Sequence, residues 1–183
     1  MKKILLLTIL FLLNINFSFS QNKNTTYPNG QIKEKGNIQN GEYISYYENG
    51  QIREKGNYVD GQMNGEFVRY YGNGNGQIQR KCNFVNGKPN GEMVEYYENG
   101  QIKEKGNKQN GEYILYYENG QISKKVNYVD GKPNGEFTRY YENGQIKMKG
   151  NYVNGQMNGE WIRYSENGQI ERKENWVDGK VVK

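Results

Sequence analysis

Carboxylates recur at regular intervals along this chain of 183 residues, and paired carboxylates can hydrolyse glycosidic bonds. One series closes each Asn-Gly-Glu motif and a second precedes the Asn-Gly-Gln-Ile motif: Glu42, Glu66, Glu92, Glu112, Glu136 and Glu160, then Glu48, Glu98, Glu118 and Glu142. A residue that returns in every copy of a repeat usually meets a repeated structural need, whereas an active site is usually built once. We therefore interpret both series as structural and predict no catalytic residue.

Histidine is absent, and Cys82 is the only cysteine. The chain thus lacks the commonest general base and transition-metal ligand, and no Cys-His nucleophile pair can form. Asp-Gly pairs at Asp60, Asp130 and Asp178 resemble fragments of calcium loops, but the dense Asp/Asn alternation and the closing Glu are missing, which favours turns. We predict a protein that is not an enzyme and uses no metal or cofactor.

Lysines and tyrosines are the better candidates for binding a partner. A lysine lies three residues after each repeated Ile, and a tyrosine precedes six of the seven Asn-Gly-Gln-Ile motifs by three or five residues. The lysines are Lys35, Lys55, Lys81, Lys105, Lys125, Lys149 and Lys173, and the tyrosines are Tyr46, Tyr70, Tyr96, Tyr116, Tyr140 and Tyr164. Because tyrosine is favoured at interfaces, these series suit an extended acidic or aromatic-bearing partner. The alternative is that they only keep the protein soluble and oppose edge-to-edge aggregation.

An internal repeat sets the positions of all these residues. Asn-Gly-Gln-Ile begins at Asn29, Asn49, Asn75, Asn99, Asn119, Asn143 and Asn167, in steps of 20, 26, 24, 20, 24 and 24 residues. The offsets of Asn-Gly-Glu give one short and two long repeats, and this block occurs twice, since residues 33–71 read closely onto residues 103–141. The two blocks differ in length by a two-residue insertion near Gly74. We predict one domain over residues 21–183 with about seven repeats.

Composition predicts strands rather than helices. After residue 20 the chain has no alanine and a single leucine, Leu115, while the whole chain has 17 tyrosines and 24 glycines. Aromatic and β-branched segments bounded by Asn-Gly or Asp-Gly are typical of β-hairpins with type I′ turns. We therefore predict an all-β, elongated antiparallel sheet of tandem hairpins with about thirteen short strands. The repeat lengths differ by even numbers of residues, which preserves the alternation of faces.

A two-residue turn at Asn49-Gly50 predicts the pairing within a hairpin. The pairs would be Glu48–Gln51, Tyr47–Ile52, Tyr46–Arg53, Ser45–Glu54, Ile44–Lys55 and Tyr43–Gly56. Because alternate pairs point to opposite faces, one face would carry Tyr47, Ile52, Tyr43 and Gly56, and the other Tyr46, Ile44, Arg53 and Lys55.

The first of these faces is the predicted packed side, because an aromatic ring beside a glycine covers bare backbone. The same relation recurs at Phe137 and Gly150. A single-layer sheet buries little apolar area, and a repeat array needs covered ends. We therefore expect either curvature around the aromatic face or a homodimer through it, with Trp176 and Val177 covering the C-terminal end.

The first twenty residues have the pattern of a secretory signal peptide. Lys2 and Lys3 precede an apolar run from Ile4 to Leu13, and Ser18-Phe19-Ser20 forms a small-x-small cleavage site. The run is too short to span a bilayer comfortably. We expect export to the periplasm, the cell surface or the medium. Without Lys2 and Lys3 the 25 basic side chains become 23 against 20 acidic ones, a balance too mild to indicate nucleic acid.

The Tyr-Tyr-x-Asn-Gly-x-Ile core, the period and the Asn-Gly-Glu-aromatic return resemble the bacterial MORN-repeat variant. That variant is found in the antitoxin component of toxin–antitoxin modules of the YwqK type, and the resemblance covers Tyr27 to Gly179. It implies an elongated antiparallel sheet of stacked hairpins, no catalysis, and binding of another protein, with toxin neutralisation as one form of it. A neutraliser of that family would meet its toxin inside the cell, whereas the predicted signal peptide favours a partner outside it.

We thus expect an exported, non-catalytic scaffold that binds a protein. The alternative is a module that binds the cell envelope or glycans, because tyrosine-rich hairpin repeats of about this length resemble wall-binding repeats. Such repeats usually stack one tryptophan per copy on the ligand. Trp161 and Trp176 are the only tryptophans in this chain, which counts against this alternative.

Overall fold

The computed structural model describes residues 22–182, which contain sixteen β-strands and no helix. The strands are β1 (Thr25–Thr26), β2 (Ile32–Gly36), β3 (Gly41–Tyr46), β4 (Ile52–Val59), β5 (Gln62–Met63), β6 (Gly65–Tyr70), β7 (Ile78–Val85), β8 (Lys88–Tyr96), β9 (Ile102–Gly106), β10 (Gly111–Tyr116), β11 (Ile122–Val129), β12 (Lys132–Tyr140), β13 (Ile146–Val153), β14 (Gln156–Tyr164), β15 (Ile170–Val177) and β16 (Lys180–Val182). The signal peptide predicted for residues 1–20 lies outside the described residues. Between residues 22 and 182, no helix is long and apolar enough to cross a membrane.

The strands form one antiparallel sheet in which each strand pairs with its neighbours in sequence. The order runs from β1 to β16, with β5 set off the path as the returning arm of β4. This confirms the predicted all-β sheet of tandem hairpins. The count exceeds thirteen because β1, β5 and β16, each two or three residues long, add to the main strands.

The turn at Asn49-Gly50 differs from the predicted two-residue type. Gly50 N donates to Tyr47 O at 2.9 Å and Tyr47 N donates to Gln51 O at 2.8 Å, which leaves a loop of three residues. Only Gly50 has a positive φ (82°), and the Asn49 side chain accepts a hydrogen bond from Gln51 N at 3.1 Å. These features describe a type I turn closed by a left-handed glycine, a common three-residue hairpin loop.

A bulge at Arg53 restores the register that a two-residue turn would have produced. Tyr46 pairs with Ile52 and Ser45 with Glu54, so Arg53 has no partner of its own. The predicted pairs Ser45–Glu54, Ile44–Lys55 and Tyr43–Gly56 are therefore confirmed. The three pairs nearer the turn are wrong: Tyr46–Arg53, Tyr47–Ile52 and Glu48–Gln51. Arg53 Nε donates to Ser45 Oγ at 3.3 Å, which places Arg53 on the face of Ser45 and not on that of Lys55.

Type I′ turns occur instead at the opposite ends of the hairpins. Asp60 and Gly61 have φ values of 49° and 74°, and Val59 pairs with Gln62 across them. The same pair of positive φ values recurs in the other long repeats, at Asn86, Asp130, Asn154 and Asp178 with the glycine that follows each. The long repeats thus carry extended arms, and the short repeats lack them.

Aromatic side chains pack on one face of the sheet, here called the aromatic face. Its most buried aromatic members are Tyr43, Tyr113, Phe137 and Trp161, and Tyr113 is only 2% exposed. A second column of rings, from the arms, contacts them edge to face, for example Tyr152 on Phe137 at 5.6 Å between centroids. This confirms the predicted packed side and explains how a single sheet buries a core.

The rings that cover the strand glycines come from an unexpected strand. Tyr43 pairs with Gly56 and Phe137 with Gly150 as predicted. A Cβ on Gly56, however, would lie 2.5 Å from the Phe67 ring, and one on Gly150 would lie 2.2 Å from the Trp161 ring. Each glycine is therefore covered by the ring of the following strand.

The second tyrosine of each Tyr-Tyr pair, and Tyr27 at the same position of the first copy, joins successive repeats. Its hydroxyl donates to the backbone carbonyl of the first tyrosine in the next repeat. These hydrogen bonds, 2.5 to 2.8 Å long, run from Tyr27, Tyr47, Tyr71, Tyr97, Tyr117 and Tyr141 to Tyr46, Tyr70, Tyr96, Tyr116, Tyr140 and Tyr164. In the seventh copy Ser165 takes this position, and its Oγ lies 3.1 Å from Gln169 O of its own turn.

Candidate functional site

The lysines and first tyrosines predicted to bind a partner lie on the face opposite the aromatic one. We call this surface, made of the seven lysines and six tyrosines given above, the lysine–tyrosine face. The lysines alternate with short side chains in one row across the sheet: Lys35, Ile44, Lys55, Val68, Lys81, Val94, Lys105, Ile114, Lys125, Thr138, Lys149, Ile162 and Lys173. Thirteen strands at ~4.8 Å spacing give this row a length of roughly 58 Å.

The tyrosines form a parallel row beside the lysines. Lys55 Nζ lies 5.9 Å from the centroid of the Tyr70 ring, and Lys149 Nζ lies at the same distance from that of Tyr164. The structure thus brings the two predicted series together on one continuous surface. Each lysine lies about 10 Å from the next, because two strand spacings separate them.

Aliphatic side chains under the lysines form a second buried layer that the sequence analysis missed. Val68, Val94, Ile114 and Ile162 are each at most 9% exposed, although they lie outside the aromatic face. The apolar stems of flanking lysines can cover such residues while the charged ends remain in water. The signal was present in the sequence, because the residue after each buried aromatic or Met is apolar in every copy except Thr138.

Carboxylates accompany the lysines on this face. Lys125 Nζ lies 3.4 Å from Glu112 Oε1, and Lys173 Nζ lies 3.4 Å from Glu160 Oε2. The Glu42-to-Glu160 series therefore balances part of the lysine charge. Within residues 22–182, no group of three or more His, Cys, Asp or Glu side chains is placed to hold a metal ion.

A groove of about 750 Å³ on the aromatic face is a second candidate, which the sequence analysis did not predict. It lies where the second short repeat, β9 and β10, lacks the arm that supplies an outer ring elsewhere. Phe84 and Tyr128 flank the resulting gap in the outer column. Met93 occupies the inner-column position that holds an aromatic ring in the other copies. We call this recess, lined by Met63, Phe67, Phe84, Met93 and Tyr113 among others, the central groove.

Ion pairs and hydrogen bonds engage the carboxylates around the central groove. Arg69 lies 3.3 Å from Glu54, Lys103 lies 2.9 Å from Glu95, and the hydroxyl of Tyr113 donates to Glu104. Burial, and then this hydrogen bond, raise the pKa of Tyr113. Each carboxylate beside the groove is thus occupied by a neighbouring side chain.

Three cations that line the groove lack such a partner. Within residues 22–182, no carboxylate lies at ion-pair distance from Arg80, Lys88 or Lys108. Lys108 instead lies over the Tyr113 ring at 4.5 Å. Cys82, beside Arg80, also lines the groove, and burial raises the pKa of its thiol while Arg80 offsets part of that effect.

Comparisons with known proteins give the family and little more. No curated protein matches the chain. A solved structure similar to it is that of the Photorhabdus luminescens Tc holotoxin pore with the TccC3-D651A mutation, at 13% identity and a TM-score of 0.24. The match covers 85% of this chain and 11% of that one. The model of the MORN repeat variant family matches residues 27–40, 39–60, 89–107, 109–130, 133–154 and 157–178. The chain therefore belongs to the MORN repeat variant family.

Proposed function

We propose that the chain is a non-catalytic repeat scaffold that binds a protein partner across the lysine–tyrosine face. The observation that carries this proposal is the different use of the two tyrosines in each pair. The second tyrosine donates its hydroxyl to the backbone of the next repeat. Within the described residues, the hydroxyls of the first tyrosines, such as Tyr96 and Tyr116, have no hydrogen-bond partner.

The first tyrosines thus combine a fixed ring with a free hydroxyl. Their rings are half-buried beside lysine stems, so little side-chain entropy remains to be lost when a partner covers them. Tyrosine hydroxyls and lysine ammonium groups repeat every two strands, about 10 Å apart. This spacing suits a folded partner with carboxylates and carbonyl groups spread over a broad surface.

The proposal includes export, on the strength of the N-terminal pattern alone, and it places the partner in the envelope or the medium. A toxin is one class of partner that the family resemblance supports. In that case the chain would neutralise the toxin by covering it, because the scaffold has no chemistry of its own.

The test replaces Lys81, Lys105 and Lys125 together by Gln, which keeps most of the aliphatic stem over Val94 and Ile114. Tagged chain captures proteins from the envelope and medium of the cells that produce it, and the captured partner's affinity is then measured. We expect the triple variant to lose at least about tenfold in affinity, if each lysine contributes about 0.5 kcal/mol. The matched control replaces Lys23, Lys132 and Lys180, which changes net charge equally at other sites.

Two outcomes would contradict the proposal. The first is a captured protein whose affinity is the same for the triple variant and the wild type. The second is retention on purified envelope material that free sugar reverses, which would favour the glycan-binding alternative.

A further inference from the structure

The central groove departs from the repeat pattern that most of residues 22–182 follow. It requires the missing arm of the second short repeat, the replacement of an inner-column ring by Met93, and the presence of Cys82 opposite Met93 in the β7–β8 pair. The first short repeat differs in its surroundings, because β1 and Asn22 pair alongside it. A recess of about 750 Å³ also lies within the size range of known ligand pockets.

The floor of the groove is apolar and adaptable. Met63 and Met93 contribute flexible, polarizable side chains, which suit surfaces that accept varied apolar partners. Phe67 and Phe84 form one wall, with their ring centroids 5.3 Å apart. One large apolar side chain of a partner can therefore be buried there.

The charges around the groove favour an acidic partner. Glu54, Glu95 and Glu104 are engaged, as described above, whereas among the described residues no carboxylate lies at ion-pair distance from Arg80, Lys88 or Lys108. Arg80 lies directly opposite Arg69 on β6 and Glu95 on β8; Arg69 is paired with Glu54 and Glu95 with Lys103, so the Arg80 guanidinium remains available to a further carboxylate. Arginine is suited to carboxylates because its guanidinium can donate two parallel hydrogen bonds.

We propose that the central groove binds an acidic protein segment, in which one large apolar side chain is flanked by Asp or Glu. The apolar side chain occupies the space between Phe84 and Met93, and the carboxylates contact Arg80 and Lys108. This inference rests on the proposed protein-binding function, but it concerns the face opposite the lysine–tyrosine face. The two proposals can therefore fail separately.

The first experiment selects binders from a displayed library of short random peptides, using the wild-type chain and the Met93→Tyr variant in parallel. Tyrosine fills the groove and is the residue that two other copies carry at this position, so the variant should fold. We expect peptides enriched on the wild type alone to share an apolar residue flanked by Asp or Glu.

The second experiment uses Cys82 as a reporter. An enriched peptide, made synthetically, should slow alkylation of Cys82 in the wild type. Arg80→Gln and Lys108→Gln should each weaken peptide binding about tenfold, the loss expected for one charge-assisted contact. Lys81→Gln with Lys105→Gln and Lys125→Gln is the matched control, and it should leave peptide binding unchanged.

Three results would overturn the inference. One is that no peptide is enriched on the wild type over Met93→Tyr, and another is that enriched peptides lack Asp and Glu. The third is protection of Cys82 that rises with protein concentration alone, which would make a second copy of the chain the occupant. A native partner that binds Met93→Tyr normally but not the triple lysine variant would leave the proposed function standing and remove this inference.

Discussion

Replacing Gly150 by Ala tests whether the ring of the following strand fixes this position. Gly150 has an ordinary extended φ, so alanine meets no backbone strain there. Its Cβ would lie 2.2, 2.4 and 2.7 Å from three carbons of the Trp161 ring. That ring is 3% exposed, and its centroid is 5.3 Å from that of Phe137 and 5.1 Å from that of Tyr152. The ring therefore has little space in which to move.

Two opposing effects set the expected change in the free energy of unfolding of Gly150→Ala. Alanine in a strand should be more stable than glycine by about 0.5 to 1 kcal/mol, because glycine loses more backbone entropy on folding. Overpacking a close contact costs about 1 to 3 kcal/mol. We expect Gly150→Ala to lower the free energy of unfolding by about 1 kcal/mol, since the two ranges leave a net cost of about 0 to 2.5 kcal/mol.

The assay is a double-mutant cycle with Trp161→Leu, read by far-UV circular dichroism during urea unfolding. In the leucine background the clash is relieved, so Gly150→Ala should raise the stability by about 0.5 to 1 kcal/mol. The urea slopes must agree among the variants, because a repeat array can unfold in parts. Stabilisation of the wild type by Gly150→Ala, or an equal effect in both backgrounds, would contradict a clash between the new Cβ and the Trp161 ring.

Three further predictions concern other contacts. Tyr117→Phe removes the bond to Tyr140 O and should cost about 0.5 to 1.5 kcal/mol in urea unfolding, whereas Tyr116→Phe should cost less. Gly106→Ala, whose Cβ would lie 2.2 Å from Glu112 O, should cost about 1 to 3 kcal/mol more than Gly111→Ala, which has open space at a similar φ. Burial and then Glu34 raise the pKa of Tyr43 from 10.0 to about 12. The contribution of Tyr43 to stability is complete below pH 10.0 and is lost as the pH rises to about 12. Between these pH values, the free energy of unfolding should therefore fall less steeply for Tyr43→Phe than for the wild type.

Alternation and fixed offsets made the strand bodies predictable from the sequence. Tyr43–Gly56 and Ile44–Lys55 follow from a period of two and an even change of repeat length, which leave one register that buries the aromatic rings. The turn at Asn49-Gly50 was not predictable in the same way. A three-residue loop with a bulge and a two-residue type I′ turn give the same register two residues farther on, so the pattern of the strands cannot separate them.

The direction in which a side chain extends across the sheet could also not be predicted from the sequence. Pairing predicts that Phe137 lies beside Gly150, but either neighbouring strand can supply the ring that covers the glycine, and Trp161 does so. The lysine–tyrosine face, in contrast, follows from alternation alone, and its lysines and tyrosines lie together as expected. Its charge balance was missed, because Glu112 and Lys125 approach each other diagonally across strands.

The central groove and the lysine–tyrosine face should contribute differently to partner binding, because the groove is a single recess and the lysines form a repeated row. A residue that recurs in every copy, such as the lysine of the lysine–tyrosine face, offers a partner several equivalent positions. The whole row therefore adds contact area, but each single residue adds little specificity. A place where the repeat is broken offers one position only. Met93 and the missing arm beside Lys108 create that position in the middle of the sheet, at the junction of the two duplicated blocks. We therefore expect substitutions in the groove to change which partner is bound, and substitutions in the lysine row to change how tightly and at what salt concentration it is bound.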